Sequence, residues 1–141
     1  MNRGDTAGGH TADLGKLVLR LLLGGIILFH GISKVISGPA MITGLVAKAG
    51  LPQEFGYLVY VGEVLAPLML IFGVWTRLAA LIIMVNMIVA VWLVHMGQIF
   101  TLNETGGWAL ELQGMFFGTA LAILLLGAGR YSLTGSSGRL N

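Results

Sequence analysis

The stretch LGKLVLRLLLGGIILFHGISKVI (Leu14–Ile36) decides the fold. A helix needs about 20 apolar residues to cross the ~30 Å hydrocarbon core of a bilayer, and this one is long enough. Yet Arg20, His30 and Lys34 lie within it. A charge at the bilayer centre costs roughly 2.5–3.5 kcal/mol on insertion scales, so such residues face a bundle interior, pair with one another, or mark a site. At about 100° per residue, Arg20, Gly24, Ile27, Gly31 and Lys34 fall on one stripe, which is therefore the packed face. A signal peptide with small residues near Ser37–Ala40 is the alternative reading. The length of the apolar run and the two bases inside it speak against that.

Working outward, apolar stretches of similar length recur at Gly56–Trp75, Arg77–Gly97 and Trp108–Gly129. Four such segments predict an all-α membrane protein, an up-down four-helix transmembrane bundle with both termini on one side. Residues 1–13 read as a polar, Gly-rich, disordered tail, 14–129 as the transmembrane domain, and 130–141 as a second polar tail. Composition agrees. Of 141 residues, 56% are hydrophobic and 10% charged, with mean hydropathy +0.89, whereas soluble domains carry about 25% charged residues. The partner implied is the lipid bilayer. A net charge of +2 with no basic cluster excludes nucleic acid. The absence of cysteine excludes disulfides, Fe–S clusters and thiol redox chemistry within the chain. Any redox role needs an organic carrier, a haem or a partner subunit.

Orientation follows from the bases. Arg3, Lys16, Arg77, Arg130 and Arg139 fall on the side of the termini, against Lys34 and Lys48 on the other. The positive-inside bias puts both termini in the cytoplasm. Trp108 and Tyr57 then belong to the outer aromatic belt, Trp75 and Tyr131 to the inner one. In the first outer loop, Ile42, Leu45, Val46 and Ala49 are spaced at helical intervals. Gly50 is placed to cap that short surface helix and Pro52 to stop it.

The ionisable residues converge in depth. At about 1.5 Å rise per residue, His30 and Lys34 of segment one fall roughly 7 and 13 Å outward of the midplane. Glu63 falls roughly 5 Å outward and Glu111 roughly 12 Å. His95 is also in the outer third. Arg20 alone lies in the inner half, where its stem can snorkel to the cytoplasmic interface. On segment four, Glu111, Gly114, Gly118, Ala122 and Gly129 align, and small residues mark a packed face. That stripe aims Glu111 into the bundle. Pro67 leaves the Glu63 carbonyl without its helical partner, which predicts a break in the helix beside a buried carboxyl.

Several readings of these groups compete. Lys34–Glu63 is a structural ion pair or part of a site. Asn86 reads as an interhelical hydrogen bond. His30 and His95 as axial haem ligands are disfavoured, since no further signature accompanies them. A metal site from His30, Glu63, His95 and Glu111 lacks any recognised ligand spacing, and no metal is assigned.

Arg20, GGIILFHGISK (Gly24–Lys34), AKAGLP (Ala47–Pro52), Glu63 and FGVWTRLAA (Phe72–Ala80), in this order, resemble the DoxX family of small four-helix bacterial and archaeal membrane proteins. The likeness runs over about Leu14–Leu126. It rests mainly on His30-Gly31 with Lys34, and on Gly73 with Thr76-Arg77. Glu111 matches the acidic position that opens the last helix in many relatives. The family name comes from a subunit of a membrane thiosulfate:quinone oxidoreductase, and other members are linked to membrane oxidoreductase complexes. The resemblance implies a multi-pass protein of the prokaryotic inner membrane, with a partner redox subunit or a homo-oligomer.

Family and residues meet in one expectation: a quinone or similar small ligand in an outer-leaflet pocket. The candidate ligand-binding residues are Arg20, His30, Lys34, Tyr60, Glu63, Trp92, His95 and Glu111. Of these, His30 and Lys34 would donate hydrogen bonds to quinone oxygens, and Glu63 would relay protons. The quinone tail would lie between helices. The alternatives are a non-catalytic anchor or assembly subunit of a redox complex, and a small-solute or proton carrier.

Overall fold

A computed structural model describes residues 3–141, with side chains from residue 8 onward. Among them there is no strand beyond an isolated bridge, Leu102–Trp108; the fold is all-helical. Helix α1 spans Arg3–Ser37 and ends at Gly38 and Pro39. Helix α2 (Ala40–Lys48) occupies the loop stretch read as a short helix. It closes with the Gly50 and Leu51 amides on the Ala47 and Val46 carbonyls, a Schellman cap with Gly at the left-handed position.

A continuous helical run follows over Gln53–Phe72. It begins with a 3-10 turn (Gln53–Tyr57), passes through Leu58–Tyr60 and a π-helical turn (Val61–Leu65), and ends as α3 (Ala66–Phe72). The π turn lies immediately before Pro67, where the missing N–H predicted a break. Gly73 and Trp75, both with positive φ, reverse the chain sharply. Helix α4 (Thr76–Ala90) then continues through a second π turn (Val91–His95) to Gln98. The last helix, α5, spans Glu111–Leu126.

Helix α1 packs on α3 and α5, and α4 packs on the same two, so the four form a closed ring. Inside it sit Leu23, Ile27, Leu70, Ile83, Phe116 and Ile123, with small residues such as Ala66, Ala80 and Ala120 between them. Outside it, large apolar side chains point away from the protein: Phe29, Ile36, Met115 and Leu125 are all strongly exposed. Meanwhile Arg20 and Glu63 are buried, at 1% and 4% exposure. Polar groups inside and apolar ones outside are the distribution that lipid selects. The runs Gln53–Phe72 and Thr76–Gln98 are each long and apolar enough to cross a membrane.

Three sequence expectations are corrected. The N-terminal segment is helical from Arg3, and residues 1–2 lie outside the described region. Its helix is held by a Lys16–Asp13 ion pair and by His10, which meets Tyr131 Oη and Arg130 Nη1 at 3.2 Å. Second, the polar C-terminal segment folds back on the end of the ring that carries the Gly73–Trp75 turn. Leu133 N–H donates to Phe72 O, Arg77 N–H to Leu140 O, and Thr76 N–H to Asn141 Oδ1. These bonds satisfy main-chain groups that the Gly73–Trp75 turn leaves open.

Third, the small-residue stripe of the last helix is not its packed face. Gly118 is exposed with open space around it, and Glu111 is exposed as well. The buried residues are Phe116, Ala120 and Ile123. Two faces competed, and the one offering Phe and Ile fills the ring with more volume than a glycine stripe can.

Candidate functional site

The predicted stripe of α1 is the packed one, and its glycines set the site geometry. A Cβ on Gly31 would overlap the Glu63 carbonyl, and one on Gly62 would lie 2.5 Å from the Asn86 amide. The first π turn thus lies backbone to backbone against α1 at Gly31, and its bare Gly62 receives the Asn86 side chain of α4. This draws three side chains from three elements together. Lys34 Nζ donates to both Glu63 oxygens at 2.5 Å, and Asn86 Nδ2 donates to Glu63 Oε1 at 3.3 Å. Tyr60 Oη donates to the Lys34 carbonyl at 3.3 Å and braces the end of α1. Glu63 is thus a buried carboxylate with its charge balanced and its lone pairs engaged, the condition under which such a group is tolerated.

The pair forms one wall of a cavity of about 180 Å³, lined also by His30, Met87, His95, Gln113 and Phe116. His30 stands edge-on to the Phe116 ring, with centroids 5.9 Å apart. His95 Nδ1 faces Gln98 Oε1 at 2.8 Å, and its Nε2 faces Gln113 Nε2 at 3.3 Å. With the Gln98 oxygen accepting from Nδ1–H, Nε2 carries the lone pair that accepts from the Gln113 amide. His95 therefore spans from the cavity to the exposed Gln98.

An apolar cavity of about 150 Å³ already holds a benzene ring. This space is of the same order in volume, with a cation, a carboxylate, two imidazoles and an amide along its wall. Both π turns contribute, one through Glu63 and one through His95. Such turns recur at functional sites because they re-aim side chains without ending the helix.

The other candidates lie elsewhere. Arg20 does not snorkel. Its Nε donates to Leu70 O at 2.8 Å, Nη1 to Ala128 O and Tyr131 O at 2.6 and 2.9 Å, and Nη2 to Ile71 O at 3.3 Å. It ties the last turn of α3 to the segment after α5, about 21 Å down α1 from Lys34. Glu111 opens α5, is exposed, and accepts from Asn103 Nδ2 of the preceding loop at 3.2 Å. Trp92 lies outside the cavity, on an apolar groove between the α4 run and α5. Sequence reasoning passed over Gln113 and Phe116. Gln113 did carry a signal, an amide in the opening turn of an otherwise apolar segment.

A family model described as DoxX matches residues 15–96. The chain belongs to the DoxX family. The match includes Arg20, His30, Lys34, Tyr60, Glu63, Trp92 and His95; Gln113 and Phe116, which complete the cavity of this DoxX chain, lie beyond it. Family membership and the apolar helices mark it as a membrane protein of a kind often associated with oxidoreductase systems. No curated protein and no solved structure matches the chain.

Proposed function

We propose that this chain is an integral membrane subunit of a quinone-linked oxidoreductase system and holds a quinone ring in the cavity beside Lys34 and Glu63. The observation that carries the reading is a charge-balanced Lys34–Glu63–Asn86 cluster on the wall of a ring-sized cavity. Lys34 and His30 donate to the ring oxygens. Glu63 exchanges protons with them, and His95 with Gln113 connects the cavity to the outer surface. Reduction of a quinone takes up two electrons and two protons; the electrons come from a partner redox subunit, because this chain has no redox centre of its own among its side chains.

In this reading α1, Gln53–Phe72, Thr76–Gln98 and α5 all cross the inner membrane of a prokaryotic cell as an up-down bundle. The termini are cytoplasmic and the cavity lies in the outer leaflet. The ring of helix contacts, the outward apolar side chains and the placing of Lys and Arg support it. Helix α5 alone is about 24 Å long, so it spans with help from the ordered segments at its ends.

One observation favours a second reading, a non-catalytic anchor subunit or a homo-oligomeric scaffold: Lys34 already satisfies both Glu63 oxygens, as a purely structural pair would. A solute carrier is disfavoured because Arg20, with its donors on main-chain carbonyls, fills the inner end. The test is quinone content in lipid extracts of protein purified in mild detergent. Stoichiometric quinone that is lost in Glu63→Gln supports the redox subunit. Quinone-free protein, with host-complex activity per folded molecule unchanged by Glu63→Gln, overturns it in favour of the anchor.

A further inference from the structure

The cavity has an apolar neighbour across Met87 and Gln113. Met87 and Gln113 line it and also line the apolar groove of about 430 Å³ between the α4 run and α5. That groove continues outward over Val91, Trp92, Trp108 and Phe117. Beyond the single Gln113 amide its surface is apolar, and it opens on the face where other side chains already point at lipid. The bare Gly114 lets the Trp108 ring seat directly against α5 as one wall of the groove; a Cβ there would lie 2.8 Å from the ring.

We infer that cavity and groove are one site for an amphiphile: a polar ring beside Lys34 and Glu63, and an isoprenoid or alkyl tail along the groove between Trp92 and Phe117. The inference rests on the proposed ring site and adds the path of the tail. The occupant follows from the two linings meeting at Met87 and Gln113. A detached lipid chain would explain an apolar groove but not its junction with a buried ion pair. A tailless polar solute would explain the cavity but not the groove. Because the tail is surrounded by hydrocarbon in either place, the groove contributes little affinity; its effect is to fix which way the ring enters.

Position therefore tests it better than affinity. The probe is a benzoquinone bearing a decyl chain with a terminal diazirine, photolysed on the full-length protein in nanodiscs, with labelled residues mapped by mass spectrometry. Labels are expected on Val91, Trp92 and Phe117, removed by an excess of the same ring without a tail. Labels spread evenly over lipid-facing residues such as Phe29 and Leu125, while the tailless ring still binds, overturn the groove and leave the ring site standing. Groove labels that the tailless ring does not displace mark an independent lipid groove and overturn the continuity. No binding of either probe overturns both readings. Val91→Trp, which fills the groove from its rim, is expected to abolish groove labelling while tailless-ring binding persists.

Discussion

Lys34 Nζ lies 2.5 Å from each carboxylate oxygen of Glu63, and the two residues come from helical segments that meet only because Gly31 lets α1 touch the Glu63 backbone. The pair is a consequence of that close approach. Breaking a buried pair by removing one partner costs about 3–5 kcal/mol, because the other charge is stranded. Lys34 keeps some access to solvent, with 28% of its side chain exposed, so the lower end applies. Lys34→Met and Glu63→Gln are each expected to destabilise by about 3 kcal/mol. The double variant should lose much less than the sum. Melting in detergent, arranged as a double-mutant cycle, measures this coupling, and additive losses would show that the two side chains do not interact.

The glycines of α1 and α5 should behave oppositely. Gly31→Leu forces side chain into backbone and is expected to cost about 3 kcal/mol or more. Gly118→Leu points into open space and should stay within about 0.5 kcal/mol. Thermal melting of the two variants side by side decides it. Equal losses would mean that Gly118 also faces a packed surface.

This contrast shows what was legible in the sequence. The α1 stripe could be read because Arg20 and Lys34, expensive in lipid, share a face with Gly24, Ile27 and Gly31, so burial and periodicity agreed. The last helix offered two incompatible faces, and its one charge, Glu111, sits in the opening turn, where an exposed carboxylate is tolerated and does not choose between them. The pairing of Lys34 with Glu63 followed from depth and charge. Asn86 was visible as a bonding group, but its partner was not, since that depends on the close approach at Gly62. The fold-back of residues 130–141 was hidden for another reason. It is held by main-chain carbonyls and amides of the Gly73–Trp75 turn, and a polar composition looks the same whether free or docked.

Arg20 should prove a structural clamp. Its guanidinium reaches carbonyls of Leu70, Ile71, Ala128 and Tyr131 in a planar fan. A lysine ammonium has three donors on a single atom and cannot reach both sides. Hydrogen bonds to charged groups are worth about 1.5–3 kcal/mol each, so losing even one is measurable. Arg20→Lys is expected to destabilise by about 2–3 kcal/mol and to raise amide exchange at residues 131–134. Exchange there that matches the unmutated protein would remove the clamp from the account.

The direction of insertion gives the last prediction. Five Lys and Arg lie on the side of the termini and two on the other, and Arg77 is in the opening turn of α4, directly after the short Gly73–Trp75 turn. Insertion therefore favours termini in the cytoplasm. The chain has no cysteine, so single-cysteine labelling has no background. Glu104 and Ser137 are both exposed, at opposite ends of α5. With a membrane-impermeant maleimide on intact cells, Glu104→Cys is expected to label from outside and Ser137→Cys only after permeabilisation. The reverse pattern would turn the protein over and place the Lys34–Glu63 cavity in the inner leaflet. Labelling of both positions from outside would mean that α5 does not cross, as its length of about 24 Å already makes worth testing.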